Sequence, residues 1–413
     1  MISWLISSIM LWHLSGLAVV YRLITAGVGT LSFLRADKHM TLSIFCAPAR
    51  YVQGRNASAC LGLEMQNLGL QGAVLIIAGK SARRLLEHTW QATFLETAQN
   101  YAVIEFSGEC SFAEIARCKQ AALEHNAAVI VGAGGGKVLD TARAVAADLG
   151  VPVVNCPTVA SSDAPCSALS VVYNAEGEVE KYLFYKRNPD LVLVDTSVIA
   201  RAPVRLLVAG MGDALATWFE ARTVVNARAK NQVGGATTIS AAALAQLCYR
   251  TLINDGPDAM RAGATGSVTP AFERLVEAHT LLSGLGFESG GLAVAHSVHN
   301  GLTVAPQTHH YYHGEKVAFG LLAQLVLEGQ PAAEIAEVVD FCLAVGLPVT
   351  LAELGLAQIS TAQLARIAER TVAPGETAHN EPFVVSADMI ADAILAADSI
   401  GRRAKDNGLA TLM

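Results

Sequence analysis

The chain has little that would staple or unfold it. Its eight cysteines (46, 60, 110, 118, 156, 166, 248 and 342) are scattered. With no C-x-x-C and no dense framework, they exclude a disulfide scaffold and suit a reducing compartment, where free thiols behave as small buried hydrophobes. The sequon Asn56-Ala57-Ser58 then reads as chance. Charged residues are only 16% of the chain against 52% hydrophobic, which excludes an intrinsically disordered protein. There is no basic excess: the formal charge of −7 argues against a partner bound by phosphate neutralisation, so no nucleic acid is expected. The 35 glycines follow no fixed period, which removes collagen-like and solenoid architectures. An ordinary globular, cytoplasmic protein remains, and 413 residues suffice for about two domains.

One stretch stands apart. Residues 2–21 carry no charge and a single imidazole, His13, and about 20 such residues could cross a bilayer. No positive segment precedes them, as a secretory signal requires, and Ser7, Ser8, Ser15 and Gly16 interrupt the run. A membrane anchor, an ordered appendage and translation from an upstream start codon all account for it. The last is preferred, with residues 1–39 outside the fold, Met40 preceding the globular pattern, and no membrane partner.

From about residue 70 to 195, short runs rich in Val and Ile alternate with helical stretches. Ala73–Ala78, Tyr101–Phe106, Ala127–Gly132 and Val153–Cys156 read as strands buried on both faces of a parallel sheet. Ser170–Tyr173, Tyr182–Tyr185 and Leu191–Val194 add three strand candidates. The capping signature Ser111-Phe112-Ala113-Glu114 opens a helix to about His125. Strand–helix alternation implies right-handed crossovers in a doubly wound sheet. After Pro203 the strands stop, and 205–226, 236–253, 268–285, 314–329, 331–345 and 385–401 favour helix, with Pro203, Pro257, Pro306, Pro331 and Pro374 at breaks. The expectation is an α/β domain over 40–200 followed by an all-helical domain over 201–413, with ligands in the cleft between them.

Two constellations carry chemistry. Gly132-Ala133-Gly134-Gly135-Gly136-Lys137 follows a strand and opens a helix bearing Asp140. Backbone amides without Cβ atoms, at a helix N-terminus, can approach a pyrophosphate, although the loop matches neither the Walker A nor the full G-x-G-x-x-G pattern. A tight strand-to-helix turn is the bland alternative. The second is a cluster of five histidines: His296, His299, His309, His310 and His313. His296 and His299 share a helix face, and His313 opens the next helix. Two imidazoles from adjacent helices can hold one cation if a third ligand joins them. Asp213, where Gly210-Met211-Gly212-Asp213 opens a helix, is the best acid; satisfied core imidazoles and a helix-terminal acid are the alternatives.

The stretches Gly134–Lys137, Ala160–Ser170, Gly210–Arg222 and Phe287–Gly320 together resemble the glycerol dehydrogenase family, within the iron-type alcohol dehydrogenase and dehydroquinate synthase superfamily. The resemblance runs from about Ile44 to the C-terminal helix. It implies an α/β nucleotide-binding domain followed by an all-α metal domain, and oxidation of glycerol to dihydroxyacetone by an NAD-dependent homo-oligomer. It implies metal ligands Asp213, His296 and His313, and NAD contacts at Gly136, Lys137, Asp140, Thr158, Ser161, Ser167, Leu169 and Tyr173. Asp163 would line the substrate pocket, and His299 would stand beside the metal on the substrate side. His309 and His310 stay structural. Two departures matter. Iron-type members place a histidine four residues after the metal aspartate, where this chain has Thr217; three ligands and an open position suit catalytic zinc. An aspartate that family members tend to carry after the first nucleotide-domain strand is missing from Ala78-Gly79-Lys80. Another polyol or diol dehydrogenase is the nearer rival. A dehydroquinate synthase-like lyase would want more Lys and Arg around the metal.

Overall fold

The computed structural model describes residues 42–174 and 179–411, so the expectation for residues 1–39 lies outside the described residues. The alternation runs β1 (Tyr51–Gly54), α1 (Leu61–Asn67), β2 (Val74–Ala78), α2 (Lys80–Glu96), β3 (Tyr101–Glu105), α3 (Phe112–Glu124), β4 (Val129–Gly134), α4 (Gly136–Leu149) and β5 (Val153–Pro157). It continues through β6 (Leu169–Tyr173), β7 (Val179–Phe184), β8 (Leu191–Asp195) and α5 (Thr196–Ile199). Among the described residues, six strands form one parallel sheet in the order β1-β8-β5-β4-β2-β3. Strand alternation splits β2 between two cores. Val74, Ile76 and Ala78 meet Leu86, Trp90 and Phe94 on one face, while Leu75 and Ile77 meet Ile115, Cys118 and Ala142 on the other. A strand covered by helices on both sides has no polar face, which is why its sequence reads as an unbroken apolar run.

Two predicted strands have a different fate. β6 and β7 pair with each other as an antiparallel ribbon outside the main sheet, and their mixed burial reflects one solvated side. β1 was not predicted, because Tyr-Val-Gln-Gly is short and only half-buried. Ser111 does cap α3, accepting from the Glu114 amide at 3.2 Å, but the Glu114 carboxylate turns to Ser107 and Arg117 instead of closing the box.

From Val204 the described residues are helical: α6 (Val204–Ala227), α7 (Ile239–Ala264), α8 (Pro270–Glu277), α9 (Ser283–Gly290), α10 (Val294–Leu302), α11 (His313–Leu327), α12 (Ala332–Val345), α13 (Thr361–Thr371) and α14 (Ala387–Thr411). Pro203 and Pro331 sit at the N-caps of α6 and α12 as expected. Pro257 does not break its helix and lies inside α7. The single helix expected over 268–285 is α8 and α9 joined by a π turn, Ala278–Leu282. The short α10 and α13 fell outside the predicted helices. The helical core is continuous with the sheet through Val192 and Val194 of β8.

The interior also holds a costly acid. Glu381 is 6% exposed and neither carboxylate oxygen has a hydrogen-bond partner. Burial, with Glu328 and Glu220 nearby, pushes its pKa from the ordinary 4.5 up to about 8. The native state therefore keeps a proton that the unfolded chain loses above pH 4.5, so this residue's contribution to stability falls as pH rises from about 4.5 to 8. Glu381→Gln is expected to be more stable than the unsubstituted protein at pH 8 by roughly 2–4 kcal/mol, converging with it near pH 4.5. Paired denaturant melts across that range measure the difference, and a constant gap would contradict the assignment.

Candidate metal centre and dinucleotide cleft

The glycine loop lies where the sheet order reverses. The chain passes from β2 through α2 to β3 on one side, then returns through α3 to β4 on the other side of β2. Ligands of open α/β sheets bind outside the carboxyl ends of strands at such a switch point. Here those ends are Gly79 and Gly134–Gly136. A Cβ at Gly134 would come within 2.6 Å of Val138 Cγ2, so glycine lets α4 start hard against its strand. Gly135 is the N-cap of α4 and brings no side-chain cap, leaving amides at the positive end of the helix. The segment after β5 forms the opposite wall. The Thr158 amide donates to the Gly134 carbonyl at 3.0 Å, and a Cβ at Gly136 would lie 3.8 Å from Ser162 Oγ.

Lys137 Nζ lies 4.8 Å from the centroid of the Tyr173 ring and donates to Glu109 Oε2 at 2.5 Å. Gly136, Lys137, Thr158 and Tyr173 thus gather around the start of α4, and Ser161 is half-buried in the segment after β5. Asp140 and Ser167 point elsewhere: Asp140 pairs with Arg143 and accepts from the Val171 amide, and Ser167 Oγ donates to the Ala164 carbonyl. Leu169 is half-buried at the start of β6.

The second constellation is assembled by α6. Gly-x-Gly-Asp does not open this helix; it lies well inside it, because its glycines serve close packing instead of a helix start. A Cβ on Gly212 would overlap the Gly314 carbonyl, one on Gly314 would overlap the Ala209 carbonyl, and one on Gly210 would overlap the Ala160 carbonyl. This contact seats Asp213, fully buried, against His313 at the start of α11 and His296 on α10. Asp213 Oδ1 is 3.0 Å from His313 Nε2 and 3.4 Å from His296 Nε2. The three donor atoms lie within 4.8 Å of one another.

The donor chemistry shows what belongs between them. His296 Nδ1 is 2.6 Å from Glu220 Oε2, and Glu220 is wholly buried. A carboxylate only accepts, so Nδ1 carries a ring proton, and Nε2 is the nitrogen left facing Asp213. Asp213 Oδ1 makes no hydrogen bond, while Oδ2 accepts from the Asp163 amide at 3.1 Å. Burial acts to raise the Asp213 pKa, but His313 and His296 outweigh it and hold it well below the carboxylate range. Burial likewise acts to lower that of His296, and Glu220 and Asp213 outweigh it. The pocket requires a positive charge. Ligands ~2.1 Å from a tetrahedral ion stand about 3.4 Å apart, and the Asp213–histidine spacings match that edge. A divalent cation fits.

Asp163 completes this end of the cleft. Its Oδ2 accepts from Ser283 Oγ at 3.0 Å, and Ser283 Oγ is 2.7 Å from Thr217 Oγ1. Thr217, where a fourth ligand would stand, therefore steadies the carboxylate beside the centre. The π turn places Ser283 there. Burial and the Asp213 charge push the Asp163 pKa up. His299 is buried next to His313, with Nε2 at 3.0 Å from His313 Nδ1 and Nδ1 at 3.1 Å from Asn300 Oδ1. His309 and His310 stay apart, His309 near the Thr303 carbonyl and His310 against Tyr311. Glu220 was missed by sequence reading, though its position seven residues after Asp213 on one helix face was a usable signal. Lys316, one turn after His313, was also missed. Burial lowers its pKa to about 8 against the opposing pull of Glu315, and Lys137 adds to the lowering.

A parallel sheet whose switch-point cleft leads to a helical Asp-His-His centre defines an oxidoreductase of the iron-containing alcohol dehydrogenase type. The model of that family, iron-containing alcohol dehydrogenase, matches residues 48–196. Glycerol dehydrogenase from Pseudomonas putida is 50% identical over 356 residues, covering 86% of this chain and 97% of that protein. Glycolaldehyde reductase from Halobacterium salinarum is 46% identical over 364 residues, covering 88% and 99%. The crystal structure of glycerol dehydrogenase from Schizosaccharomyces pombe superposes with a TM-score of 0.86 at 37% identity, covering 89% of this chain and 93% of that one. The chain belongs to the iron-containing alcohol dehydrogenase family, in its glycerol dehydrogenase branch.

Glu220→Gln tests the donor argument. The amide would oppose one N–H with another at His296 Nδ1 and favour the tautomer that cannot ligate. Metal affinity, measured by competition with a chromogenic chelator, should fall about ten- to a hundredfold. Unchanged affinity would contradict the assignment.

Proposed function

We propose that the protein oxidises glycerol at C2 to dihydroxyacetone, reversibly, by hydride transfer to NAD at a zinc centre. The observation that carries this reading is the convergence of Asp213, His296 and His313 on one point beside Asp163, at the end of a glycine-lined nucleotide cleft. A zinc ion at that point supplies the Lewis acidity that brings a glycerol hydroxyl, otherwise a very weak acid, into ionisable range. Nicotinamide supplies the hydride acceptor. Zinc is preferred to iron because Thr217 is bound to Ser283, leaving three protein ligands and an open position.

The remaining work falls to the chain's own residues. The amides at the start of α4 receive the pyrophosphate, and Lys137 adds a point charge. Thr158, Ser161 and Tyr173 flank the dinucleotide, with Asp140, Ser167 and Leu169 shaping the wall behind it. Asp163, held through Oδ2 by Ser283, accepts a hydrogen bond from a second substrate hydroxyl and so selects a vicinal polyol. Both ring nitrogens of His299 are engaged, so water is the better route for the departing proton, and His299 acts as a support. The eight cysteines are free, which supports a reducing, cytoplasmic setting. No helix among the described residues is long and apolar enough to cross a membrane. Exposed Leu42, Phe45 and Ile239, close to the Ile44–Ala236 hydrogen bond, support a homo-oligomer.

The deciding assay is a substrate panel followed by nicotinamide absorbance. Glycerol should be oxidised with NAD, activity should vanish with a chelator, and zinc should restore it. Full activity of the metal-free protein would overturn the mechanism. A strong preference for glycolaldehyde reduction would shift the substrate to that of the Halobacterium relative.

Cofactor choice turns on Gly79. It caps α2 at the end of β2 with φ −62° and ψ 147°, and a Cβ there would have its nearest neighbour at 3.8 Å. An aspartate at this strand end would accept from the ribose hydroxyls and repel a 2′-phosphate. Gly79 does neither, and Lys80, Arg83 and Arg84 follow it. NAD is expected to be preferred with measurable NADP use, and Gly79→Asp should sharpen discrimination by about 1–3 kcal/mol in kcat/KM. Equal exclusion of NADP by both proteins would refute this.

A further inference from the structure

Behind His313 a chain of polar groups runs from the metal centre to α13. His313 Nδ1 is 3.0 Å from His299 Nε2, and His299 Nδ1 is 3.1 Å from Asn300 Oδ1. Asn300 Nδ2 donates to Glu376 Oε2 at 3.0 Å, and Glu376 Oε1 is ion-paired with Arg370. Glu376 has little freedom. The turn that follows it is tied to α10 and its approach by Thr377 Oγ1 on the Ala293 carbonyl, the Ala378 amide on Ser297 Oγ and Asn380 Nδ2 on the Leu292 carbonyl.

With His313 ligating through Nε2, one donor–acceptor direction runs along this chain. The Arg370 guanidinium can only donate, so Glu376 accepts from it. Asn300 turns its NH₂ to Glu376 and its carbonyl to His299, and His299 donates to that carbonyl from Nδ1. His299 Nε2 faces His313 Nδ1, and an imidazole that ligates through Nε2 keeps its own proton on Nδ1, so His299 Nε2 is the acceptor of that pair. His313 then donates from Nδ1 and turns Nε2 toward Asp213.

We propose that Arg370, Glu376 and Asn300 are positioning residues that set the tautomer of His299, and through it hold His313 with Nε2 unprotonated for a divalent cation. The proposal rests on the reading of Asp213, His296 and His313 as metal ligands. It assigns the far side of the centre a task parallel to that of Glu220: each metal-facing imidazole is polarised through Nδ1 by a carboxylate, directly by buried Glu220 for His296 and through two intermediaries by half-buried Glu376 for His313. None of the three residues touches substrate or cofactor in this scheme, and their effect is on the charge pattern offered to the ion.

An isosteric substitution reverses the direction of the chain. In Glu376→Gln, Arg370 claims the single amide oxygen and the new NH₂ faces Asn300. Asn300 then flips, His299 takes its proton on Nε2, and His313 receives it at Nδ1 and protonates on the metal side. Zinc affinity of the full-length, chelator-stripped protein, by competition with a chromogenic chelator, should fall about ten- to a hundredfold. In ¹⁵N-histidine spectra of the zinc-loaded protein the Nδ1–H signature of His299 should give way to Nε2–H. Adding Asn300→Asp gives a pure acceptor between two donors and restores the direction, so Glu376→Gln/Asn300→Asp should bind zinc within about threefold of the unsubstituted protein and regain the original tautomer signals. Wild-type zinc affinity in Glu376→Gln would overturn the proposal. So would a double variant as weak as the single one, since that pattern means lost packing and not a reversed chain. Failure of the unsubstituted protein to bind one zinc per chain would instead sink the metal reading itself, and is seen before any variant is made.

Discussion

The structure turns on the approach of α6 to its neighbours at Gly210, Gly212 and Gly314. Backbone meets backbone there, and a Cβ on any of the three would fall on a carbonyl group. Interiors packed to crystal density cannot yield that space by small adjustments. The contact fixes where α11 begins, and so where His313 stands relative to Asp213. The Gly210 contact fixes the Ala160 strap, which leads directly to Asp163. One set of missing side chains thus aligns Asp213 of α6, His313 of α11 and the Asp163 carboxylate of the loop after β5.

Charge is the second constraint, and it follows from the first. The same packing takes Asp213, Asp163 and Glu220 out of water. Unpaired carboxylates in such a place cost several kcal/mol each, and the structure answers each one. Glu220 is met by the His296 ring and by the Ala293 and His296 amides. Asp163 is met by Ser283, and Asp213 Oδ2 by the Asp163 amide. Asp213 Oδ1 makes no hydrogen bond and faces the Nε2 atoms of His313 and His296.

The nucleotide side follows a different logic, set by topology and not by side-chain pairing. The strand order reverses between β2 and β4, and open α/β sheets take ligands outside the carboxyl strand ends at such a point. Gly134 lets α4 begin directly on the strand, and the Thr158 amide bonds back to the Gly134 carbonyl. The β6–β7 ribbon adds Tyr173 beneath Lys137. At the end of β2, Gly79 carries no side chain.

Much of this was legible along the chain. Apolar runs such as Val74–Ala78 and Leu191–Asp195 announce strands covered on both faces, because local pattern reports burial directly. Most helices after Pro203, though not the short α10 and α13, the glycine loop between β4 and α4, and the candidate trio Asp213, His296 and His313 were also legible, from spacing, local composition and family likeness. Other features were invisible because their cause is distant in sequence. β1 is held by pairing with β8, not by its own composition. Pro257 stays helical because α7 is packed on both sides of it, with Gly256 against Phe341. Glu220 acquires its role from a ring 76 positions away, and Glu376 from an amide 76 positions away. A sequence records which groups can ligate, donate or accept; which of them face one another is decided only when helices from separate parts of the chain are pressed together.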